Sequence, residues 1–342
     1  MRQLFVIMLL SVSVILSAQM KEDADTFLRN IPQTQPADWT DAINLALEGQ
    51  TELLDSVRNS RNKAPRLPDN VSAETIAPGI TLFRNLNGKN SPRPMLVYLH
   101  GGGWTVGSIN SCTRFCAAVA ASDEAIVAAL DYPLAPEHPF PAAIEFITDA
   151  VKTLRDMADR LGSSPELISI GGDSSGGNLA ISTASLLPDE IRSMVLFYPV
   201  TLSDTDNSHS WKTFGALPSL DATLMDAFNR AYRPDSLKFN PLVSPLKMAD
   251  ETIARLPRTL MISAERDILL DQAKAFASRL RANGVAADHQ IFPSTVHLFI
   301  TVPGQPAAFE EAVRQTVAHL SQTGKPTRQT HQTPQQPETE IM

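Results

Sequence analysis

The feature that most constrains this chain is an alternation of short apolar runs with longer amphipathic segments between residues 95 and 320. The runs of strand length occupy residues 95–99, 125–130, 167–170, 193–198, 259–263 and 287–292. The segments with helical spacing of apolar residues occupy 142–160, 179–187, 268–282 and 307–320. Such an alternation is typical of β–α–β units. We therefore predict an α/β fold with a mostly parallel central sheet flanked by helices on both faces.

Two segments depart from this alternation. Residues 21–66 are helix-rich and precede the first predicted strand, and residues 203–238 interrupt the series of strands after Tyr198. Ligands of open α/β sheets bind beyond the C-terminal ends of the strands, so an insertion at that end is placed to form a lid. The alternative is that both segments only cover the core. We predict an N-terminal cap segment over residues 19–75 and a catalytic domain over 76–322, with the cap insertion at about 203–238.

The first 18 residues have the pattern of a secretory signal peptide. Arg2 is followed by an apolar run over residues 4–16 and by small residues up to Ala18. The run is shorter than the roughly 20 residues of a membrane-spanning helix. We predict cleavage after Ala18 and export to the periplasm or the medium, with no stable membrane span afterwards. An uncleaved N-terminal anchor is the alternative, and either topology places the folded part outside the cytoplasm because Arg2 stays inside.

Composition excludes several classes of function. The formal net charge of -8 gives no reason to expect a nucleic-acid partner. Two cysteines are too few for a disulfide scaffold or for a zinc site, and no metal-ligand spacing is present. We interpret Cys112 and Cys116 as small apolar side chains on one helix, with a disulfide as the alternative. Residues 323–342 are rich in Thr, Gln and Pro and are predicted to be a disordered tail. The sequence does not distinguish a monomer from a dimer.

A candidate nucleophile lies in a glycine-flanked turn. Residues 172–176 read Gly-Asp-Ser-Ser-Gly, follow a predicted strand and precede a predicted helix. In this context the G-x-S-x-G pattern indicates a sharp turn that holds the middle serine in a strained conformation. We therefore predict Ser174 as the nucleophile and the backbone N–H of Ser175 as an oxyanion donor. The alternative is an ordinary Ser/Gly turn in which Asp173 or Ser174 caps the helix.

A second glycine-rich segment supplies candidate hydrogen-bond donors. Residues 100–104 read His-Gly-Gly-Gly-Trp and directly follow the strand predicted at 95–99. Preorganised N–H groups at a developing oxyanion contribute about 3–4 kcal/mol each. The predicted hole takes two N–H groups from Gly101, Gly102 and Gly103, together with that of Ser175. The alternative is a flexible loop or a phosphate nest, although no Lys or Arg follows closely. The candidate pocket residues beside the hole are His100, Trp104 and Asp173, and Trp104 is equally consistent with a core position.

Elimination selects the general base. Among seven histidines, His297 alone stands in a loop just after a predicted strand at the expected end of the sheet. Asp267 follows the strand at 259–263 and is the predicted acid that orients the base. The order Ser174, Asp267, His297 is that of hydrolases with a serine in a strand-to-helix turn. Asp271 and Glu265 remain competing acids, and Asp271 is more simply a capping carboxylate. The upstream carboxylates given structural roles are Asp131 and Glu137.

Four segments resemble the hormone-sensitive-lipase branch of the α/β-hydrolases, particularly its bacterial acetyl esterases. The segments are 100–104, 131–143 (DYPLAPEHPFPAA), 172–177 (GDSSGG), and 264–271 with 293–299. The resemblance implies an α/β-hydrolase core with a helical cap and the triad Ser174, Asp267 and His297. It further implies a cofactor-free esterase that acts on short-acyl esters.

The chain departs from the usual pattern of that branch at a few positions. The departures are Pro133, Ser175, Ile268, Leu270, Gln272 and Ser294. None removes a catalytic group or a backbone donor, but the side chains that support Asp267 are expected to differ. The function predicted from the sequence is thus a serine carboxylesterase with a small-molecule ester substrate. The alternatives are an amidase or formamidase with the same triad, or a ligand-binding protein of the same fold, which would usually lack a triad member.

Overall fold

The computed structural model describes residues 2–89, 91–205 and 207–322, with side chains from residue 14 onward. The predicted tail at 323–342 lies outside the described residues. The helices are α1 (Arg2–Asn30), α2 (Gln35–Leu47), α3 (Glu52–Arg61), α4 (Ile109–Ala121), α5 (Ala142–Leu161), α6 (Ser175–Leu186), α7 (His209–Phe214), α8 (Ala222–Tyr232), α9 (Asp250–Ile253), α10 (Leu270–Ala282) and α11 (Pro306–Ser321). The strands are β1 (Val71–Ala77), β2 (Ile80–Asn85), β3 (Met95–Leu99), β4 (Ile126–Leu130), β5 (Ile168–Asp173), β6 (Ser193–Phe197), β7 (Arg258–Arg266) and β8 (Ala287–Val296).

These strands form one eight-stranded sheet in the order β1-β2-β4-β3-β5-β6-β7-β8. β2 is antiparallel to both β1 and β4, and every other neighbouring pair is parallel. In β3, Val97 belongs to the apolar cluster on one face of the sheet and Leu96 to the cluster on the other face. Alternate side chains of a strand point to opposite faces, so both faces of the sheet are covered. The predicted mostly parallel sheet, flanked by helices, is confirmed.

The sequence pattern missed the first two strands. β1 buries only Val71 fully, and it lacks the apolar run that marks the buried parallel strands. It also lies across the boundary predicted between residues 75 and 76, and the sheet therefore begins at Val71. β5 continues past its predicted end through Gly171 and Gly172, which apolar periodicity does not register.

The N-terminal segment and the insertion after β6 form one helical layer. α2 packs against α3 and α8, and α7 packs against α10. Arg230 of α8 donates to Asn44 Oδ1 of α2 at 2.8 Å. Asp271 Oδ2 accepts the backbone N–H of Ser210 at 2.8 Å and so ties α7 to α10. Asp271 is thereby a capping carboxylate, one of the two roles weighed for it from the sequence.

The first helix packs against the far end of the chain. α1 lies on β8 and α11, and it buries Met20, Ala24 and Phe27. Asp23 Oδ2 accepts the N–H of Ala307 at 2.9 Å. Residues from Met20 onward are therefore part of the folded domain. Across the described residues, no helix combines the length and apolar character that crossing a membrane requires.

The two cysteines lie side by side within α4. Cys112 and Cys116 are both free and fully buried. A hydrogen bond with Cys116, together with burial, raises the pKa of the Cys112 thiol well above its usual range. The interpretation of both residues as small apolar side chains is confirmed.

Candidate active site

The turn between β5 and α6 presents Ser174 in a strained conformation. Its φ of 54° and ψ of −118° lie outside the regions that non-glycine residues favour. A Cβ atom on Gly172 would lie 2.5 Å from the carbonyl oxygen of Leu99, and one on Gly176 would lie 2.1 Å from the same atom. Both glycines of the motif are thus required because the turn packs against the end of β3. The strained serine is the geometry that the motif predicted.

Ser174, His297 and Asp267 form a continuous hydrogen-bonded chain. Ser174 Oγ lies 3.1 Å from His297 Nε2, and His297 Nδ1 lies 2.6 Å from Asp267 Oδ2. All three side chains are buried. With Nδ1–H donated to the carboxylate, Nε2 is the acceptor for the serine proton. The structure brings together the three residues that the sequence placed on separate loops.

The remaining competitor for the acid role is bound elsewhere. Glu265 Oε2 accepts the backbone N–H of Ser294 at 2.6 Å. Asp267 is held by a bond of its own, because its Oδ1 accepts the N–H of Leu269 at 3.0 Å. Asp267 is therefore the only one of the three carboxylates considered from the sequence that contacts His297.

Two buried glutamines support the loops around the triad. Gln305 Oε1 accepts the N–H of Val296 at 3.0 Å, and its Nε2 donates to the Val296 carbonyl at 3.2 Å, next to His297. Gln272 Oε1 accepts the N–H groups of Thr201 and Leu202 at 2.6 and 2.8 Å. Gln272 is one of the departures noted after the acid, and it anchors the start of the cap insertion. The role of Gln305 carried no sequence signal, since its partners are fixed only by the tertiary fold.

The glycine loop after β3 leaves two of its N–H groups without a partner. Gly101 donates its N–H to Asp173 Oδ1 at 3.0 Å, which removes it from the candidate oxyanion donors. In the described part of the chain, no hydrogen bond is donated by the N–H of Gly102, Gly103 or Ser175. Ser175 begins α6, where the N–H has no partner within the helix. These three groups remain the candidate donors.

The shape of the loop depends on positive φ angles. Gly102 and Gly103 have φ of 127° and 59°. A Cβ atom would lie 2.1 Å from the Val106 carbonyl oxygen at Gly102 and 2.1 Å from the Phe228 ring at Gly103. Only glycine fits both positions, because backbone conformation and space exclude a side chain.

The segment at 131–143 buttresses this loop. Tyr132 donates its hydroxyl to the His100 carbonyl at 2.6 Å. Arg58 of α3 donates to the Thr105 carbonyl at 2.8 Å and pairs with Glu137 at 2.7 Å. Asp131 Oδ1 accepts the N–H of Ile109 at 2.6 Å, at the start of α4. Asp131 and Glu137 thus have the structural roles predicted for them. Arg58 was not predicted.

Two of the three candidate pocket residues do not line the cavity. Trp104 stacks on Tyr232 with ring centroids 4.3 Å apart and belongs to the apolar core. His100 stacks on Tyr132 at 4.4 Å and is fully enclosed, and burial lowers the pKa of its imidazole. The structure therefore places His100 outside the cavity lining, and it places Trp104 in the core, which is one of the two positions that the sequence left open. Asp173 does line it.

The helical cap forms one side of the cavity above Ser174. Its empty volume is about 540 Å³, and Trp39, Leu224 and Phe228 form an apolar wall contributed by α2 and α8. One cation, Arg61 of α3, also lines it. Among residues 2–89, 91–205 and 207–322, no cluster of three His, Cys, Asp or Glu side chains could hold a metal ion.

Sequence comparison gives relatives over most of this region. A family described as having the alpha/beta hydrolase fold matches residues 96–301. The chain is 33% identical over 233 residues to carboxylesterase NlhH of Mycobacterium tuberculosis, covering 66% of this chain and 73% of that protein. It is 33% identical over 220 residues to an arylesterase of Saccharolobus solfataricus, covering 63% and 71%.

Comparison with solved structures also identifies esterases as similar proteins. A hyperthermophilic esterase from the archaeon Pyrobaculum calidifontis superimposes with a TM-score of 0.72 and 31% identity, covering 81% of this chain and 95% of that one. An esterase from the fungus Rhizomucor miehei superimposes with a TM-score of 0.70 and 28% identity, covering 78% and 89%. This protein therefore belongs to the α/β-hydrolase family, in its hormone-sensitive-lipase branch.

Proposed function

We propose that this protein is a serine carboxylesterase that hydrolyses short-acyl esters through an acyl-enzyme. The observation that carries the proposal is the hydrogen-bonded chain from Ser174 through His297 to Asp267. A serine hydroxyl is a weak nucleophile until a neighbouring base accepts its proton. The carboxylesterases and esterases among the relatives support ester hydrolysis as the reaction.

In the proposed reaction, Ser174 attacks the ester carbonyl while His297 takes the serine proton. Asp267 stabilises the imidazolium that forms. The N–H groups of Gly102, Gly103 and Ser175 bind the oxyanion of the tetrahedral intermediate. His297 then donates its proton to the leaving alcohol, and the acyl group remains on the serine. Water, activated by the same base, releases the acid and restores the enzyme.

The preference for short acyl chains rests on the cap. Phe228 packs directly over the glycine loop, since a Cβ atom at Gly103 would touch its ring. Leu224 and Trp39 continue the same apolar wall. From a wall so close to the candidate oxyanion donors, we expect a small acyl group to be accepted beside Ser174 and a long one to be obstructed.

The proposal is tested with residues 19–342 on the nitrophenyl esters acetate, butyrate, octanoate and palmitate. Turnover should fall with chain length. The variants Ser174→Ala, Asp267→Asn and His297→Ala should each lower kcat by about 10³-fold or more while the protein stays folded. Asp271→Asn is the matched control for the acid, and we expect it to keep most of the activity. Full activity in any triad variant, or no turnover of any ester by the folded wild type, would overturn the proposal.

We also propose that residues 1–18 direct export and are removed. The support is the apolar run behind Arg2, and the position of Met20, which is the first buried side chain among those described in α1. The mass of the protein recovered from the periplasm or medium of an expressing bacterium tests this. A mature chain beginning at Gln19 is expected, whereas a full-length chain in the membrane fraction would indicate the uncleaved anchor.

A further inference from the structure

A second cavity lies beside the catalytic one and shares part of its wall. Its empty volume is about 720 Å³, and Arg61, Ser111 and Thr301 line both cavities. We call it the basic vestibule, defined by its polar residues Ser60, Arg61, Lys63, Asn110, Ser111, Arg114 and Thr301. No carboxylate among the described residues lines it. Three cations thus line a cavity that adjoins the active site, in a chain whose net charge is -8.

Among the described residues, none of these three cations forms a salt bridge. The charge of Asp173 acts on Arg61 and that of Glu310 acts on Arg114, in both cases without a salt bridge. The Arg61 guanidinium lies 5.1 Å from the centroid of the Trp39 ring. Arg114 lies over the ring of Phe309 at 3.5 Å, and its Nη1 atom is buried without a hydrogen bond. Buried polar groups are normally paired, so the unpaired Nη1 atom of Arg114 is unusual.

Arg58 lies one turn before Arg61 on α3 and, unlike Arg61, has a structural role. It pairs with Glu137 and donates to two backbone carbonyls. Arg61 occupies the end of the same helix, where the helix dipole favours a cation. The dipole makes a positive charge there tolerable but supplies no anion for its guanidinium. Burial lowers the pKa of Arg61, and the charge of Asp173 opposes that shift.

We propose that the basic vestibule binds an anionic group of the ester, a carboxylate or a phosphate, and that the preferred substrates are negatively charged esters. The inference rests on the proposed esterase function. A guanidinium offers planar, paired donors that match such oxyanions. The hydroxyl of Ser111 accepts the N–H of Ser108 at 3.1 Å, so its own proton is left to donate. Because Arg61 and Ser174 both line the catalytic cavity, we infer that one ester molecule places its anionic group at Arg61 and its carbonyl at Ser174.

The experiment compares kcat/KM for matched neutral and anionic esters. The first pair is nitrophenyl hexanoate, which is neutral, and nitrophenyl hemiadipate, which carries a carboxylate on the acyl side. Methyl 4-acetoxybenzoate against 4-acetoxybenzoate places a carboxylate on the alcohol side, and 4-acetoxyphenyl phosphate places a phosphate there. We expect wild type to prefer at least one anionic ester over its neutral partner by about tenfold, which corresponds to about 1.4 kcal/mol. Raising the salt concentration should weaken that preference.

Charge-removing variants assign the preference to the vestibule. Arg61→Gln and Lys63→Gln should each reduce the anionic-to-neutral ratio several-fold, mainly through KM, whereas Arg61→Lys should keep more of it. Arg160→Gln is the matched control, because Arg160 is an exposed cation in the last turn of α5 that lines neither cavity. If Arg61→Gln fails to fold, Lys63→Gln and the salt dependence still decide the question.

The outcomes separate this inference from the function on which it rests. Ser174-dependent turnover of neutral esters without a preference for any anionic ester would overturn the proposal that the vestibule binds an anionic group. It would leave the esterase proposal intact. A preference that persists in both Arg61→Gln and Lys63→Gln would also overturn the proposal for the vestibule. Absence of Ser174-dependent turnover for every ester would overturn both proposals.

Discussion

The carboxylate of Asp173 joins the nucleophile turn to the glycine loop, because its Oδ1 atom accepts the N–H of Gly101 at 3.0 Å. The same oxygen accepts the hydroxyl of Tyr98 at 3.0 Å. Asp173 adjoins Ser174 in the chain, so this contact fixes the distance between the nucleophile and the candidate oxyanion donors. Burial raises the pKa of Asp173 to about 6, and the Tyr98 hydrogen bond opposes that shift.

The raised pKa of Asp173 predicts a measurable pH dependence of stability. Its ordinary pKa of 3.8 applies in the unfolded chain, so the folded state binds the proton more tightly between pH 3.8 and about 6. The contribution of Asp173 to the free energy of unfolding therefore falls as pH rises through this interval and is constant above it. Asp173→Asn keeps an oxygen acceptor but does not titrate. The melting temperature of the variant minus that of wild type should increase across the interval, and a constant difference would contradict the assignment.

Gly103→Ala should impair catalysis more than folding. The added Cβ would meet the Phe228 ring at 2.1 Å at a φ of 59°, so the loop must shift and misplace a donor. Loss of one donor predicts a decrease in kcat of about 10²-fold. Gly284→Ala is the control, since Gly284 has a φ of 79° but nothing within 4 Å of the added atom. The Gly284→Ala variant should have backbone strain without a steric clash, and its kcat should be unchanged. Equal kcat in the two variants would rule out this role for the loop.

Arg58→Gln should destabilise the fold and slow turnover. The substitution removes the pair with Glu137 and the hydrogen bonds to the Thr105 and Ala135 carbonyls, which hold the glycine loop. We expect a loss of about 1–3 kcal/mol in the free energy of unfolding, measured in urea. Arg66→Gln is the comparison, because Arg66 pairs with Asp69 on an exposed surface. Exposed pairs contribute about 0–1 kcal/mol, so the two variants should differ clearly.

Truncation should separate the predicted signal peptide from the folded part of α1. A chain beginning at Gln19 keeps Met20 and Phe27 buried and keeps the 2.8 Å pair between Asp25 and Arg266, the residue before Asp267. A chain beginning at Ile31 loses these contacts and exposes apolar surface on β8 and α11. Each large apolar side chain contributes about 1.5–3 kcal/mol, so the shorter chain should lose at least ~3 kcal/mol in urea unfolding. Equal stability of both chains would show that α1 is dispensable.

The sequence predicted the features that local pattern determines. β3 was predicted at its observed bounds because it is a short apolar run that ends in glycines. The triad was predicted because Ser174, Asp267 and His297 each follow a strand, and parallel strands bring their C-terminal ends to one edge of the sheet. The glycine motif predicted the strained serine because its crowding against β3 follows from the turn itself.

The remaining features depend on contacts between distant residues. Arg58 acts on carbonyls of Thr105 and Ala135, and nothing in the sequence around Arg58 indicates those partners. Gln272 was noted as a departure, but its bond to Thr201 follows only from the packing of α10 against the start of the insertion. The antiparallel edge strand β1 was missed because only one of its residues is fully buried and it has no apolar run. The choice of Asp267 over Glu265 likewise required the observed bond from Ser294 to Glu265.

The contact between Asp23 and Ala307 joins residues 284 positions apart. During translation, α1 is among the first elements to leave the ribosome, yet the surfaces that it covers are made last. The apolar residues of α1 therefore stay unpacked until β8 and α11 have been synthesised. Contacts of such high sequence separation form slowly. The packing of α1 against the domain therefore completes the fold only after the chain has been synthesised as far as α11.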